Sequence, residues 1–234
     1  MYRFSFIIPA YNEESCIAAC IQSMQAQCEM PYEIIVVDNG CSDRTSEIAN
    51  QMGCVIVREQ KQGISYARNK GAEIATGDIL CFIDADGVLF KNWMFAANSC
   101  FSKANIGAVS GLSIYTHPNF LKAILYNQYV IVTNAGALIS RLLFSRMIFA
   151  GNNFAIRKEL FHRIGGYEDV IGEGMWLSRR FWQLKDFTGA FSPKMLLWNS
   201  PRGFEHFGFL KTLSYWVRGT ISRVSQKHYT YKSR

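Results

Sequence analysis

The chain has 234 residues, of which 49% are hydrophobic and 18% charged, and a net charge of +7. That balance excludes a disordered segment and suits one domain with a sizeable core. The positive charge is uneven: residues 202–234 hold seven basic side chains (Arg202, Lys211, Arg218, Arg223, Lys227, Lys232, Arg234) against the single acid Glu205, so anionic partners are expected near the C-terminus.

Residues 4–8 read as a strand stopped by Pro9. Ile17, Cys20, Ile21 and Met24 share one face of a helix predicted over 13–27. An apolar, β-branched strand over 33–37 ends at Asp38. Ser42 or Asp43 can cap the next helix, which runs through Met52. A third strand is predicted over 54–57, a helix over 65–75 closed by Gly77, and a fourth strand over 78–83. This alternation predicts an α/β, Rossmann-like fold with a mostly parallel sheet flanked by helices on both faces.

The second half is less regular. Residues 106–110 and 194–198 read as strands, 157–163 and 173–185 as helices, and the apolar stretch 120–149 as partly helical. Its longest uncharged run, 18 residues over 123–140, contains Asn127, Gln128, Thr133, Asn134 and Gly136. That is too polar for a membrane span, so a helix packed on the sheet, at most touching a membrane surface, is expected. Seven cysteines show neither C-x-x-C nor zinc-ligand spacing; Cys54 and Cys81 lie in apolar runs and read as buried. Reduced thiols and a start that leads directly into a strand, with no signal peptide, point to the cytoplasm.

In open α/β sheets ligands bind outside the carboxyl ends of the strands. Pro9-Ala10-Tyr11-Asn12, Asp38-Asn39-Gly40 and Asp84-Ala85-Asp86 all fall at such ends. Asp84 and Asp86 on one short turn can hold a divalent cation that grips a diphosphate, or can simply cap the next turn as a solvated pair. Acids at strand ends suit nucleic acid poorly, and no G-x-G-x-x-G is present.

The segments IIPAYNEE (7–14), IIVVDNGCSDRT (34–45), GISYARNKGAEIATGDILCFIDAD (63–86) and GNNFAIRKELFHRIGGY (151–167) together resemble the family 2 glycosyltransferases, in order and spacing, over residues 4–208. The resemblance implies a GT-A fold over 1–208, with a nucleotide-binding half (1–105), an acceptor-binding half (106–208), and a basic aromatic tail (209–234). It implies transfer of a sugar, with inversion and with Mg²⁺ or Mn²⁺, from a UDP- or GDP-type nucleotide-sugar donor to a hydroxyl of a glycan or lipid-linked acceptor. By the same resemblance Asp86 is the direct metal ligand and Asp84 lies near both metal and ribose. Asp38 meets the base or ribose, caps the Gly40 turn, or does both. Pro9, Ala10 and Glu13 form the nucleotide wall, Arg68 contacts the donor, and Asn152 and Asn153 face the transferred sugar. Arg202 clamps the diphosphate, and His206 is a weaker metal or phosphate candidate.

One departure matters. The family base usually lies in an E-D pair followed by x-D-L; here the segment is Glu173-Gly174-Met175-Trp176-Leu177, so the Asp positions hold Gly174 and Trp176. Glu173 can take over as base, Glu168 or Asp169 can do so, or the protein binds donor with little or no transfer. The absence of Q-x-x-R-W predicts one sugar per encounter. The basic tail is expected to allow peripheral contact with an acidic inner-membrane surface.

Overall fold

The computed structural model describes residues 2–27, 30–144 and 146–221. An eight-stranded sheet in the order β3-β2-β1-β4-β7-β6-β8-β5 runs through it. The N-terminal side is wholly parallel: β1 (Phe4–Ala10) lies between β2 (Tyr32–Asp38) and β4 (Ile79–Ile83), and β3 (Val55–Arg58) pairs with β2. The register sets Ala10 beside Asp38 and Asp38 beside Arg58, so the strands end in one row. The far side is mixed: β7 (Asn153–Arg157) runs antiparallel to β4 and β6 (Ile106–Tyr115), while β8 (Thr188–Asn199) is parallel to β6 and antiparallel to β5 (Gly87–Leu89).

Period-two alternation divides the core between two faces. Phe4, Phe6 and Ile8 pack on one side with α1 (Ile17–Gln25) and α4 (Trp93–Phe101); Ile7, Ile35 and Val37 pack on the other with α3 (Ile64–Ile74). Helix α3 approaches closely because residue 71 is glycine: a Cβ there would meet Ile7 Cγ2 at 2.4 Å. Cys54 and Cys81 are buried, as their apolar settings predict.

The alternating elements of residues 4–83 occur in the expected order, with α2 (Thr45–Gln51) between β2 and β3. The first helix starts at Ile17, not at residue 13, because residues 13–16 form a turn in which the Cys16 and Ile17 N–H groups donate to the Glu13 carbonyl. The elements β5, α4, β7 and α8 were not expected. Residues 120–144 form one long helix, α5 (Phe120–Phe144), followed past β7 by α6 (Lys158–Arg163), α7 (Glu173–Phe181), α8 (Arg202–Phe207) and α9 (Phe209–Ile221). The rest of the basic tail, 222–234, lies outside the described residues. Among the described residues no helix is long and apolar enough to cross a membrane.

Candidate active site

The loops after β1 and β2 are locked together. The Glu13 N–H donates to Thr45 Oγ1 (2.7 Å), the Glu14 N–H to Asp43 Oδ2 (3.0 Å) and the Ser42 N–H to Asn12 Oδ1 (2.8 Å). Asn12 holds a left-handed conformation (φ 54°), which turns the chain sharply after β1. These bonds fix one wall of a cleft lined by Pro9, Ala10, Glu13 and Asp84, four of the anticipated residues. Tyr11, Asn39 and Ile64 also line it. Tyr11 and Asn39 belong to the strand-end clusters, but nothing in their spacing singled them out. Asn39 shapes the cleft: its amide N–H groups donate to the Glu59 and Lys61 carbonyls, and its oxygen accepts from the Gly63 N–H.

The lining acids Glu13 and Asp84 are each paired with an arginine. Arg68 is buried; its Nη1 donates to Glu173 Oε1 (2.6 Å) and its Nη2 to Asp84 Oδ1 (2.9 Å). Burial alone would depress the guanidinium, but Asp84 and Glu173 outweigh it and hold the group firmly charged. Arg202, at the start of α8, reaches back across 189 residues of sequence to Glu13 Oε2 (2.6 Å) and meets Asp86 Oδ2 at 3.1 Å. Cys16 Sγ donates to Glu13 Oε2 at 3.1 Å. Burial, aided by Glu13, pushes this thiol up to about 12, so it stays protonated. Gly87 closes the Asp84-Ala85-Asp86 turn through its N–H to the Asp84 carbonyl (2.9 Å).

Asp38 is committed to its own turn. Its Oδ1 accepts from the Gly40 and Cys41 N–H groups, and its Oδ2 accepts from Ser46 Oγ (2.8 Å). Burial works to raise this carboxyl, but those donors outweigh it and hold it below the usual range. Of the two roles anticipated for Asp38, the capping role is the one with partners here.

Asn153 requires a correction. It is fully buried; its oxygen accepts from the Trp93 indole N–H (2.8 Å) and its amide donates to the Leu112 and Met195 carbonyls. Its amide joins β7, β6, β8 and α4 behind the cleft, which leaves none of it to face a sugar. Asn152 is half-buried and His206 exposed. Glu168 pairs with Arg180 (3.4 Å) and Asp169 accepts from the Tyr66 hydroxyl (2.9 Å).

Position 174 has no space for a side chain: a Cβ there would meet the Phe149 carbonyl oxygen at 2.9 Å. Glycine therefore lets α7 start against residues 149–151 and sets Glu173 beside Arg68. Gly151 completes the fit, since its own Cβ would lie 3.1 Å from Glu173 Oε1.

Two carboxylates on one turn offer hard oxygen ligands, and among the described residues no three His, Cys, Asp or Glu cluster to form a metal cage. That pairing fits Mg²⁺ or Mn²⁺, which take one or two carboxylates and complete their shell with substrate phosphate and water.

The comparisons with known proteins bear on the family and the fold. A sequence profile described as glycosyl transferase family 2 matches residues 5–165. Glycosyltransferase AglE of Haloferax volcanii is 30% identical over 186 residues, covering 75% of this chain and 60% of that protein. A PGL/p-HBAD biosynthesis glycosyltransferase of Mycobacterium bovis is 37% identical over 94 residues, 38% of this chain and 37% of that one. The chain thus matches less than two thirds of the length of these relatives. Among solved structures, glucosyl-3-phosphoglycerate synthase from Mycobacterium tuberculosis, in complex with Mn²⁺, UDP and phosphoglyceric acid, superposes with a TM-score of 0.66 at 20% identity, over 94% of this chain and 79% of that one. The mannosyltransferase PcManGT from Pyrobaculum calidifontis, in complex with GDP-Man and Mn²⁺, superposes with a TM-score of 0.62 at 20% identity, over 85% of this chain and 56% of that one. The architecture is thus the GT-A fold. The chain belongs to glycosyltransferase family 2.

Proposed function

We propose that this protein is a metal-dependent, inverting, non-processive glycosyltransferase that moves a sugar from a UDP- or GDP-type donor to an acceptor hydroxyl. The observation that carries this reading is the convergence of Glu13, Asp84, Asp86, Arg68 and Arg202 at the carboxyl ends of β1 and β4. Asp84 and Asp86 would hold a Mg²⁺ or Mn²⁺ ion, which when bound neutralises the diphosphate of the donor. Arg202 adds a planar fork suited to a phosphate oxygen pair. Pro9, Ala10 and Tyr11 would orient the nucleoside, against a wall that Asn39 shapes. The acceptor oxygen attacks the anomeric carbon from the face opposite the leaving group, and the bond from that carbon to the phosphate oxygen breaks. The hydroxyl proton passes to Glu173, whose Oε1 is held by Arg68 and whose Oε2 is left to accept it.

The acceptor belongs to a glycan or lipid-linked component of the cell envelope. The protein works on the cytoplasmic side, with its basic C-terminal segment toward an anionic inner-membrane surface.

A second reading, donor binding without turnover, is favoured by position 174, which lacks both the side chain and the room for the family's usual acid. One experiment separates the two. A thermal-shift screen of nucleoside diphosphates with and without Mn²⁺ names the donor class, and donor sugars of that class are then assayed for transfer and slow hydrolysis. Metal-dependent stabilisation with transfer supports the enzyme; stabilisation with neither transfer nor hydrolysis supports the binder; no stabilisation by any nucleotide overturns both.

A further inference from the structure

Helix α5 turns an almost unbroken apolar face to solvent. Phe120, Leu121, Ile131, Val132, Leu142 and Leu143 are each at least 63% exposed, with Ile124 and Ile139 between them. At about 100° per residue these side chains project within an arc of about 140°, in which Gln128 is the only polar side chain. The opposite face fixes this orientation. Tyr126, Val130 and Ala137 are buried; Tyr126 stacks on Phe204 of α8 at 4.7 Å; Asn127 donates to the Tyr115 carbonyl and accepts from its N–H. The outward face therefore cannot roll inward, and an aliphatic patch of this extent marks a contact surface.

The charge pattern selects the occupant. The 25 residues of α5 contain no acid. Its two cations, Lys122 and Arg141, are exposed near opposite ends and sit about 60° outside the two borders of the stripe. Neighbouring α9, joined to α5 through Phe209 and Tyr126, adds exposed Lys211 and Arg218 beside exposed Leu210 and Val217. An apolar stripe with cationic borders suits a helix lying in the headgroup and acyl boundary, its long basic side chains reaching the lipid phosphates. Lys122 has Glu205 of α8 at 3.8 Å, but a second copy laid on the same stripe would still bring the Lys122 and Arg141 borders together with no acid on α5 to meet them.

We propose that α5 is a membrane-surface helix, its exposed stripe seated in an anionic lipid leaflet. This deepens the membrane part of the proposed function, moving the anchor from the C-terminal tail to α5, and it stands apart from glycosyl transfer. The test is flotation of the full chain with neutral phosphatidylcholine vesicles and with vesicles containing phosphatidylglycerol. Wild type should partition onto the anionic vesicles, and Ile131→Glu/Val132→Glu should weaken that by about tenfold or more. Val55→Glu, a control at an exposed β3 position, should bind as wild type does. Circular dichroism melts check that each variant is folded. No wild-type flotation, or flotation indifferent to Ile131→Glu/Val132→Glu, overturns the proposal. So does a dimer in light scattering that those substitutions dissociate without any vesicle binding, which would assign the stripe to a second copy. Loss of nucleotide-dependent stabilisation in wild type would strike the transferase reading and leave this result readable.

Discussion

Arg68 is the residue that holds Asp84 of the cleft and Glu173 together. A buried guanidinium between Asp84 and Glu173 is held only while both carboxylates face it. Arg68→Met leaves two largely enclosed acids without their partner, and losing one member of a buried pair costs about 3–5 kcal/mol. Urea unfolding should show that loss as a lower midpoint, and nucleotide-dependent stabilisation should vanish with it. Asp38 acts at the same scale through pH. Its carboxyl is held below the ordinary range in the folded protein, because the bonds from Cys41, Ser46 and Gly40 outweigh the effect of burial. The folded state then favours the ionised form, and the resulting stability is present above the unfolded value of about 3.9 and lost as pH falls through the folded one. Asp38→Asn should lower stability at neutral pH and flatten the decline below about pH 4, read from urea midpoints at successive pH values. An acid limb as steep as that of wild type would refute this role for Asp38.

At the scale of elements, α7 is positioned by a glycine. Gly174→Asp would restore the residue type usual in the family, yet its Cβ meets the Phe149 carbonyl oxygen at 2.9 Å. The start of α7 must move away, which costs about 1–3 kcal/mol and pulls Glu173 off Arg68. The expected outcome is a lower melting temperature with no gain in transfer; a variant as stable as wild type and more active would show that the gap opens easily. The sequence made β1 to β4 and α1 to α3 readable because short apolar β-branched runs alternate there with helical stripes and end at Asp38, Gly77 or Asp84, although β1 continues through Pro9 to Ala10. It was silent about α4, in which Trp93, Met94, Ala96, Ala97 and Phe101 are buried among too few polar positions to show a stripe. It misplaced Asn153, expected to face a sugar, because the partners that bury it lie 41 to 60 residues away on other elements. The strand-end clusters were legible as a site because topology alone places them. The pair of Arg68 and Glu173, 105 residues apart, was not, since no local spacing encodes which carboxylate an arginine will meet.

At the scale of the whole molecule, the fold closes a long loop onto its own beginning. Glu13 follows β1, Asp86 follows β4, and Arg202 opens α8 near the end of the described chain, yet one guanidinium nitrogen joins all three. Helix α8 is held there by its other side, where Phe204 is buried and packs on Tyr115, Tyr126 and Phe209. Burial opposes charge on Arg202, but Glu13 and Asp86 outweigh it and keep the group charged. A divalent cation held by Asp86 would share that carboxylate with Arg202, and a diphosphate would give Arg202 another partner. Arg202→Gln should accordingly bind Mn²⁺ alone more tightly, as measured by calorimetry, and should lose nucleoside-diphosphate stabilisation in the presence of the metal. The two changes have opposite signs, which a simple loss of folding cannot produce. If Mn²⁺ and nucleotide affinity fell together in a variant with a wild-type melting profile, Arg202 would be a support for the site and not a cation that metal and diphosphate displace in turn.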